Sequence, residues 1–144
     1  MMRTIHILNG PNLNRLGTRE PEIYGTTTLA EIEAGCHAKA SELGFSIFFC
    51  QTNHEGQLVD WLHRADDEGA AAVLLNAAAY THTSIALLDA IRAISVPVIE
   101  VHLSDPSQRE PFRHRSYVGM GAVHCISGLG PASYLAALEQ AAQL

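Results

Sequence analysis

Apolar and polar positions recur along this chain with two periods, and their alternation lays out most of the architecture. Residues 4–9 carry Ile5, Ile7 and Leu8 in a short run that reads as a first strand. Thr28, with Glu31 three residues on, then opens a helix, and Leu29, Ile32, Cys36, Ala40 and Leu43 follow at helical spacing until Gly44 stops it. Residues 45–50, bulky and β-prone, predict a second strand. Leu58, Val59, Leu62 and Ala65 mark one side of a second helix that Gly69 closes. Residues 70–75 are almost continuously apolar, as expected of a strand covered on both faces of a parallel sheet. A helix capped by Thr83 or Ser84 runs to Ile94. A fourth strand spans 97–101, a fifth 122–126, and a last helix follows the turn at 128–131 and occupies 132–144.

Five strands alternating with helices predict an α/β fold with a parallel sheet and right-handed crossovers. A flavodoxin-like, doubly wound five-stranded sheet of order 2-1-3-4-5, with helices on both faces, fits best. In such a sheet ligands bind beyond the carboxyl ends of the strands, at the switch point between the first and third. The segments leaving strands one, three and four are 9–25, 76–82 and 102–113, and they hold the least core-like residues of the chain. All three are expected to converge on one cleft. The first greatly exceeds the roughly 2–6 residues usual for such a connection. Gly10, Pro11, Gly17, Pro21 and Gly25 set its backbone, and Asn9, Asn12, Asn14, Arg15, Arg19 and Tyr24 arm it with donors, acceptors and a phenol.

Composition narrows the function classes. With 144 residues the chain is expected to be one catalytic-sized domain, 1–144. No apolar run approaches the roughly 18 residues that span a bilayer, and the first residues turn into a strand pattern instead of a signal peptide, so a soluble cytoplasmic protein with no membrane partner is expected. A formal charge of −6 argues against nucleic acid as a partner. Any anionic ligand must then be met by a local cluster of arginines. Cys36, Cys50 and Cys125 read as reduced, buried thiols without metal-ligand spacing. The eight histidines form no paired motif on one helix face, so no metal is predicted, and no P-loop or complete dinucleotide fingerprint exists to hold a nucleotide.

Two groups stand out chemically. Glu100 and His102 lie two apart on a strand, so both side chains leave the same face, and the carboxylate can favour the protonated imidazole as a general acid. The plainer reading is a strand-end histidine satisfied by its neighbour. Tyr24 shares its loop with Arg19, and Arg109 and Arg113 stand across the cleft. A free phenol ionises near pH 10, and lowering that by about three units takes roughly 4 kcal/mol of differential interaction, which calls for more than one arginine. Asn12, Asn76 and His82 suit hydroxyl groups, and the amides of Leu103 and Ser104 suit a carboxylate. The fold also admits a non-catalytic flavodoxin-like ligand-binding module, for flavin mononucleotide or a phosphoryl group. Asn9 and Asn76 stand where a phospho-receiver needs acids, and no short hydroxyl-rich phosphate loop is present. A metal-dependent lyase using His82, Glu100 and His102 is a third reading, and it predicts loss of activity on chelation.

The runs Asn9-Gly-Pro-Asn12-Leu-Asn-Arg-Leu-Gly-Thr-Arg19-Glu-Pro-Glu-Ile-Tyr24-Gly, Gln51-Thr-Asn-His-Glu-Gly, Thr81-His-Thr-Ser and Glu100-Val-His102-Leu-Ser together resemble type II 3-dehydroquinate dehydratase in order and context. The resemblance extends through Arg109-Glu-Pro-Phe-Arg113 to Gly128-Leu-Gly130 and Ser133-Tyr134, so it covers essentially the whole chain. It implies a hydro-lyase that converts 3-dehydroquinate to 3-dehydroshikimate by anti elimination, a reaction used in shikimate synthesis and in quinate breakdown. It implies no metal or organic cofactor and a dodecamer built from trimers. By the same resemblance, Tyr24 as phenolate is the base, with Arg19 and Arg109 assisting; Asn12 holds a water at the enolate oxygen; and His102, oriented by Glu100, is the acid. Asn76, His82 and Arg113 bind ring hydroxyls, Leu103 and Ser104 the carboxylate, and Asp89 reaches into a neighbouring subunit's site. Three departures from the family pattern are visible: Asp105 stands where many relatives have asparagine, Pro106-Ser107-Gln108 is an altered approach to Arg109, and Ala77-Ala78-Ala79 lacks the glycine common in that turn.

Overall fold

A computed structural model describes residues 2–144. Five strands form one parallel sheet, β1 (Arg3–Asn9), β2 (Phe45–Gln51), β3 (Ala72–Asn76), β4 (Val98–Val101) and β5 (His124–Ile126), in the order β2-β1-β3-β4-β5. This is the flavodoxin-like α/β arrangement that the alternating pattern predicts. Short helix α1 (Pro21–Tyr24) lies inside the first long connection, α2 (Leu29–Leu43), α3 (Glu55–Asp67) and α4 (Ile85–Ala93) are crossover helices, and α6 (Ala132–Ala142) follows the last strand. The helix starts follow the capping chemistry. The Thr28 hydroxyl accepts from the Glu31 amide, and Ser84, not Thr83, accepts from the Leu87 amide. Gly44 ends α2 at φ +85°, a conformation that only glycine adopts freely.

Strand alternation sends side chains to opposite faces and so divides the core in two. Ile5, Ile7, Leu74, Ile99 and Val101 pack beneath α2 and α6 with Ile32, Cys36, Ala40 and Leu138. Leu8, Val73, Leu75 and Val98 pack beneath α3 and α4 with Leu58, Leu62, Leu87 and Ile91. β1 and β3 are buried on both faces because they lie inside the sheet, which explains their continuous apolar run.

The structure departs from the sequence reading near its end. Residues 117–121 form an additional helix, α5 (Tyr117–Gly121), capped by Ser116, and β5 is only three residues long. Two glycines and a five-residue length hide this helix from periodicity. Cys125 is exposed, contrary to the expectation of three buried thiols, because β5 is an edge strand with an incomplete cover; Cys50 is half-buried and only Cys36 is fully buried.

A polar cluster crosses the core under the carboxyl ends of the strands. The Tyr134 hydroxyl, fully buried on α6, donates to Asn9 Oδ1 at 2.6 Å and accepts from Asn76 Nδ2 at 2.9 Å. Asn9 and Asn76 are register partners on β1 and β3, so this one hydroxyl ties two site-bearing strand ends together. Burial pushes the phenol further from ionisation than an ordinary tyrosine, despite the Asn76 bond, so it serves as a neutral donor and acceptor. Tyr134→Phe is expected to strand two buried amide groups at a cost of about 1–3 kcal/mol. Thermal denaturation should then show a melting temperature lower by roughly 2–4 °C per kcal/mol.

Candidate active site

The switch point between β1 and β3 is where the chain leaves the sheet in both directions, and the structure opens a cavity of about 210 Å³ there. Three segments line it: Pro11, Asn12, Leu13, Arg19 and Tyr24 from the first connection, Asn76, Ala78, Ala79 and His82 after β3, and His102 to Ser104 with Pro106, Arg109 and Arg113 after β4. The three polar segments therefore meet in one cleft.

Two close backbone approaches hold these walls in register. The Gly10 amide donates to the Asn76 carbonyl at 2.8 Å, and a Cβ on Gly10 would lie 2.5 Å from the Ala77 carbonyl oxygen, so only glycine fits. Ala78, in the turn without a glycine, sits at φ +52°, with its amide anchored to Asn76 Oδ1 at 3.2 Å. Left-handed backbone there costs an alanine about 1–2 kcal/mol, which the surrounding bonds hold in place. The departures at 105–108 are locally satisfied, because Asp105 Oδ1 accepts from the Ser107 amide and hydroxyl and caps a single turn at Pro106–Gln108.

Asn12 also has left-handed backbone, at φ +70°, which asparagine tolerates. Its amide donates to Asn53 Oδ1 at 3.0 Å, Gln51 Nε2 donates to the same oxygen at 3.1 Å and to the Gly10 carbonyl at 3.1 Å, and the Tyr80 hydroxyl donates to the Asn53 carbonyl at 3.0 Å. Gln51, Asn53 and Tyr80 are therefore braces that sequence reasoning missed. Gln51 and Asn53 lie within a run already noted for its resemblance, but nothing in their spacing indicates that they grip another loop.

Tyr24 lies at the end of α1 with its hydroxyl 2.8 Å from Arg109 Nη1, which donates to it. The Arg19 guanidinium lies 4.5 Å from the ring centroid and that of Arg109 lies 5.3 Å away. Two cations thus flank one phenol, from chain segments about ninety residues apart. Arg113 reaches the cavity while its Nε donates to Glu110.

His102 is only 6% exposed, and its Nε2 lies 2.5 Å from Glu100 Oε2. Among the described residues no hydrogen bond engages its Nδ1, so that nitrogen is free to act in the cavity. Glu100 does not line the substrate-sized cavity and stands behind His102. Burial pushes its carboxyl upward, yet the His102 hydrogen bond and charge, with donations from Ser116 and Cys125, hold it below the ordinary carboxylate range. Ser116 Oγ donates at 2.6 Å and caps α5, and a Cβ on Gly119 would lie 2.7 Å from Glu100 Oε1. The unexpected helix α5 thus exists in part to back Glu100. The Cys125 thiol, although the residue is exposed at the sheet edge, is partly desolvated where it lies against the protein, and this together with the Glu100 charge pushes it up to about 12.

His82 stacks near His102, with ring centroids 6.3 Å apart. Its Nδ1 donates to the Arg115 carbonyl at 2.8 Å, which leaves Nε2 as an acceptor. Burial pulls its imidazole below the usual 6.5, more than the Arg115 bond restores, and the His102 and Arg113 charges add to the depression. Asn76 spends one amide proton on Tyr134 and its oxygen on Ala78, so one amide proton remains for a ligand. The carbonyls of Leu103 and Ser104 accept from Gly130 and Gly128, while their own amides have no acceptor among the described residues. Two successive free N–H groups make an anion-binding concavity. Asp89 is exposed on α4 and does not line the cavity.

These shifts set the response to acid. His6, 1% exposed on β1, is likewise held below 6.5, chiefly by burial, with Glu68 opposing and Arg64 adding. Below pH 6.5 the unfolded chain binds protons at His6 and His82 that the folded chain resists. The stability they contribute is complete above that value and is lost as pH falls through their depressed values. Glu100 acts later, since its contribution is present above 4.5 and is lost as pH falls through its own lowered value. Melting temperature against pH is expected to decline in these two stages, with His6→Leu flattening the first; a rise on acidification would contradict the assignment.

Lys39, the only lysine in the sequence, pairs with Glu139 at 2.7 Å on the α2–α6 side and does not line the cavity. An imine with a substrate ketone therefore has no lysine to form on. At the end of β1, Asn9 is spent on Cys50 and Tyr134, which leaves no acidic acceptor for a phosphoryl group.

Comparison with known proteins gives a consistent picture. The family described as dehydroquinase class II matches residues 3–142. A 3-dehydroquinate dehydratase of Maricaulis maris is 58% identical over 141 residues, covering 98% of this chain and 96% of that protein. One from Caulobacter sp. strain K31 is 54% identical over 144 residues, covering 100% and 97%. The crystal structure of type II dehydroquinase from Propionibacterium acnes superimposes with a TM-score of 0.95 at 42% identity, covering 100% of this chain and 99% of that one.

Proposed function

The chain belongs to the dehydroquinase class II family, and from that premise we propose that it removes water from 3-dehydroquinate to give 3-dehydroshikimate. One observation carries the reading: a single cavity is lined both by a phenol flanked by two guanidinium groups and by a histidine backed by a buried carboxylate.

The substrate is a ring bearing a ketone, hydroxyls and a carboxylate. Tyr24 as phenolate takes the C2 proton beside the ketone, with Arg109 donating to its oxygen and the Arg19 guanidinium over its ring. As the C2–H bond breaks, its electron pair moves onto the ketone oxygen as an enolate. A water held by Asn12 donates to that oxygen, the kind of preorganised dipole that acts most strongly on developing charge. The enolate then collapses, the C1–O bond breaks, and His102 gives its proton to the departing hydroxyl, which leaves as water. Glu100 fixes the orientation of the imidazole through its contact with Nε2. Both groups line the one cavity, Tyr24 from the first connection and His102 from the segment after β4, and an anti elimination requires them to act on opposite faces of the ring.

Binding follows from the remaining donors. The Leu103 and Ser104 amides receive the carboxylate, and Asn76, His82 Nε2 and Arg113 receive ring hydroxyls. Asp89, exposed on α4, is supplied to the site of a neighbouring subunit in a dodecamer of trimers, so that activity and assembly are linked. The chemistry needs no metal or organic cofactor. Among the described residues no helix is long and apolar enough to cross a membrane, in keeping with work in the cytoplasm. Incubation with 3-dehydroquinate should produce the ultraviolet absorbance of a conjugated enone. A folded protein that produces none would refute the assignment.

A further inference from the structure

We propose that Glu100, His102 and Cys125 form a binding site for a thiophilic divalent cation, zinc by its chemistry, and that a bound cation switches the enzyme off. The three residues lie on neighbouring strands: Cys125 is the register partner of Glu100 across β4 and β5, and His102 follows two residues later. One ligating atom from each, thiol sulfur, imidazole nitrogen and carboxylate oxygen, lies within 4.8 Å of the other two. Glu100 and His102 are buried while Cys125 is exposed, so the cluster has rigid ligands and an entrance. A second cavity of about 180 Å³ opens onto all three, with Asp105, His114 and Ser116 on its wall.

Zinc takes sulfur at about 2.3 Å and nitrogen or carboxylate oxygen at about 2.0–2.2 Å in a tetrahedral set. The Glu100–His102 pair must open from its 2.5 Å contact to admit the ion, and Cys125 must close by a side-chain rotation. A mixed S, N, O set suits zinc better than magnesium or calcium, which prefer oxygen alone. Three protein ligands leave a fourth position for water in the second cavity.

Protons balance simply. The thiol proton leaves to solvent, and the imidazole keeps one proton on Nδ1 while Nε2 binds the cation. The ion then occupies the place of the proton between His102 and Glu100. His102 is no longer backed by a free carboxylate and cannot hold a second proton, so it is lost as a general acid. This inhibitory step rests on the acid role given to His102 above, whereas occupancy of the site does not.

The test titrates zinc into protein freed of metal by chelation and dialysis, in competition with a chromophoric chelator, and repeats the titration with cobalt(II). The expected results are one cation per chain, a thiolate charge-transfer absorption in the cobalt form, and turnover that falls with zinc and returns with EDTA. Cys125→Ser should weaken zinc by at least about 10-fold, the lower end of what even indirect supports of a metal contribute. No uptake, uptake unchanged in Cys125→Ser, or a cobalt spectrum without a thiolate band would overturn the site. The wild-type cobalt spectrum settles this even if the variant folds poorly. Binding with the thiolate band but undiminished turnover would overturn the inhibition and count against His102 as the acid.

Discussion

Tyr24→Phe is expected to lower kcat for 3-dehydroquinate by roughly 10²–10⁴-fold, the usual contribution of a positioned general base. The substitution keeps the ring beneath Arg19 and removes only the oxygen to which Arg109 donates. The residue is half-buried, so stability should change little and KM should stay within a few-fold. Steady-state kinetics beside a melting curve separate the possibilities. A variant as active as wild type would remove Tyr24 from the chemistry, and one that fails to fold would show a structural role instead.

His102→Ala carries two expected consequences. Loss of the acid should lower kcat by roughly 10²–10⁴-fold. It also leaves the Glu100 carboxylate, 3% exposed, without its cationic partner and supported only by Ser116 and Cys125. Breaking a buried ion pair from one side costs about 3–5 kcal/mol, because the remaining charge is stranded. Adding Glu100→Gln should recover part of that stability without recovering activity, and denaturant titration of the single and double variants measures the coupling. Equal additive losses would mean that the two residues act independently.

Much of this site was legible because strand periodicity is strict. Glu100 and His102 share a face by position alone, and the carboxyl ends of β1, β3 and β4 are where a doubly wound sheet gathers its ligands. The thiol was misjudged for a related reason. A residue near the end of an apolar run looks buried, and only the strand order reveals that β5 is an edge whose Cys125 faces out beside Glu100. The bracing of Asn12 by Asn53 and the two-strand tie made by Tyr134 were hidden as well. Both join positions far apart in sequence through single hydrogen bonds, and periodicity carries no trace of such pairs. α5 was missed because its five residues include two glycines and show no helical repeat, although its serine cap and its closeness to Glu100 make it part of the support of the Glu100–His102 pair.

The proposed division of labour between Tyr24 and His102 has a direct stereochemical signature. 3-Dehydroquinate deuterated at the C2 position anti to the C1 hydroxyl, turned over by wild-type protein, should lose the label to solvent and give unlabelled product. Retention of that deuterium, with loss of the hydrogen on the same face as the departing hydroxyl, would contradict a base and an acid acting on opposite faces of the ring.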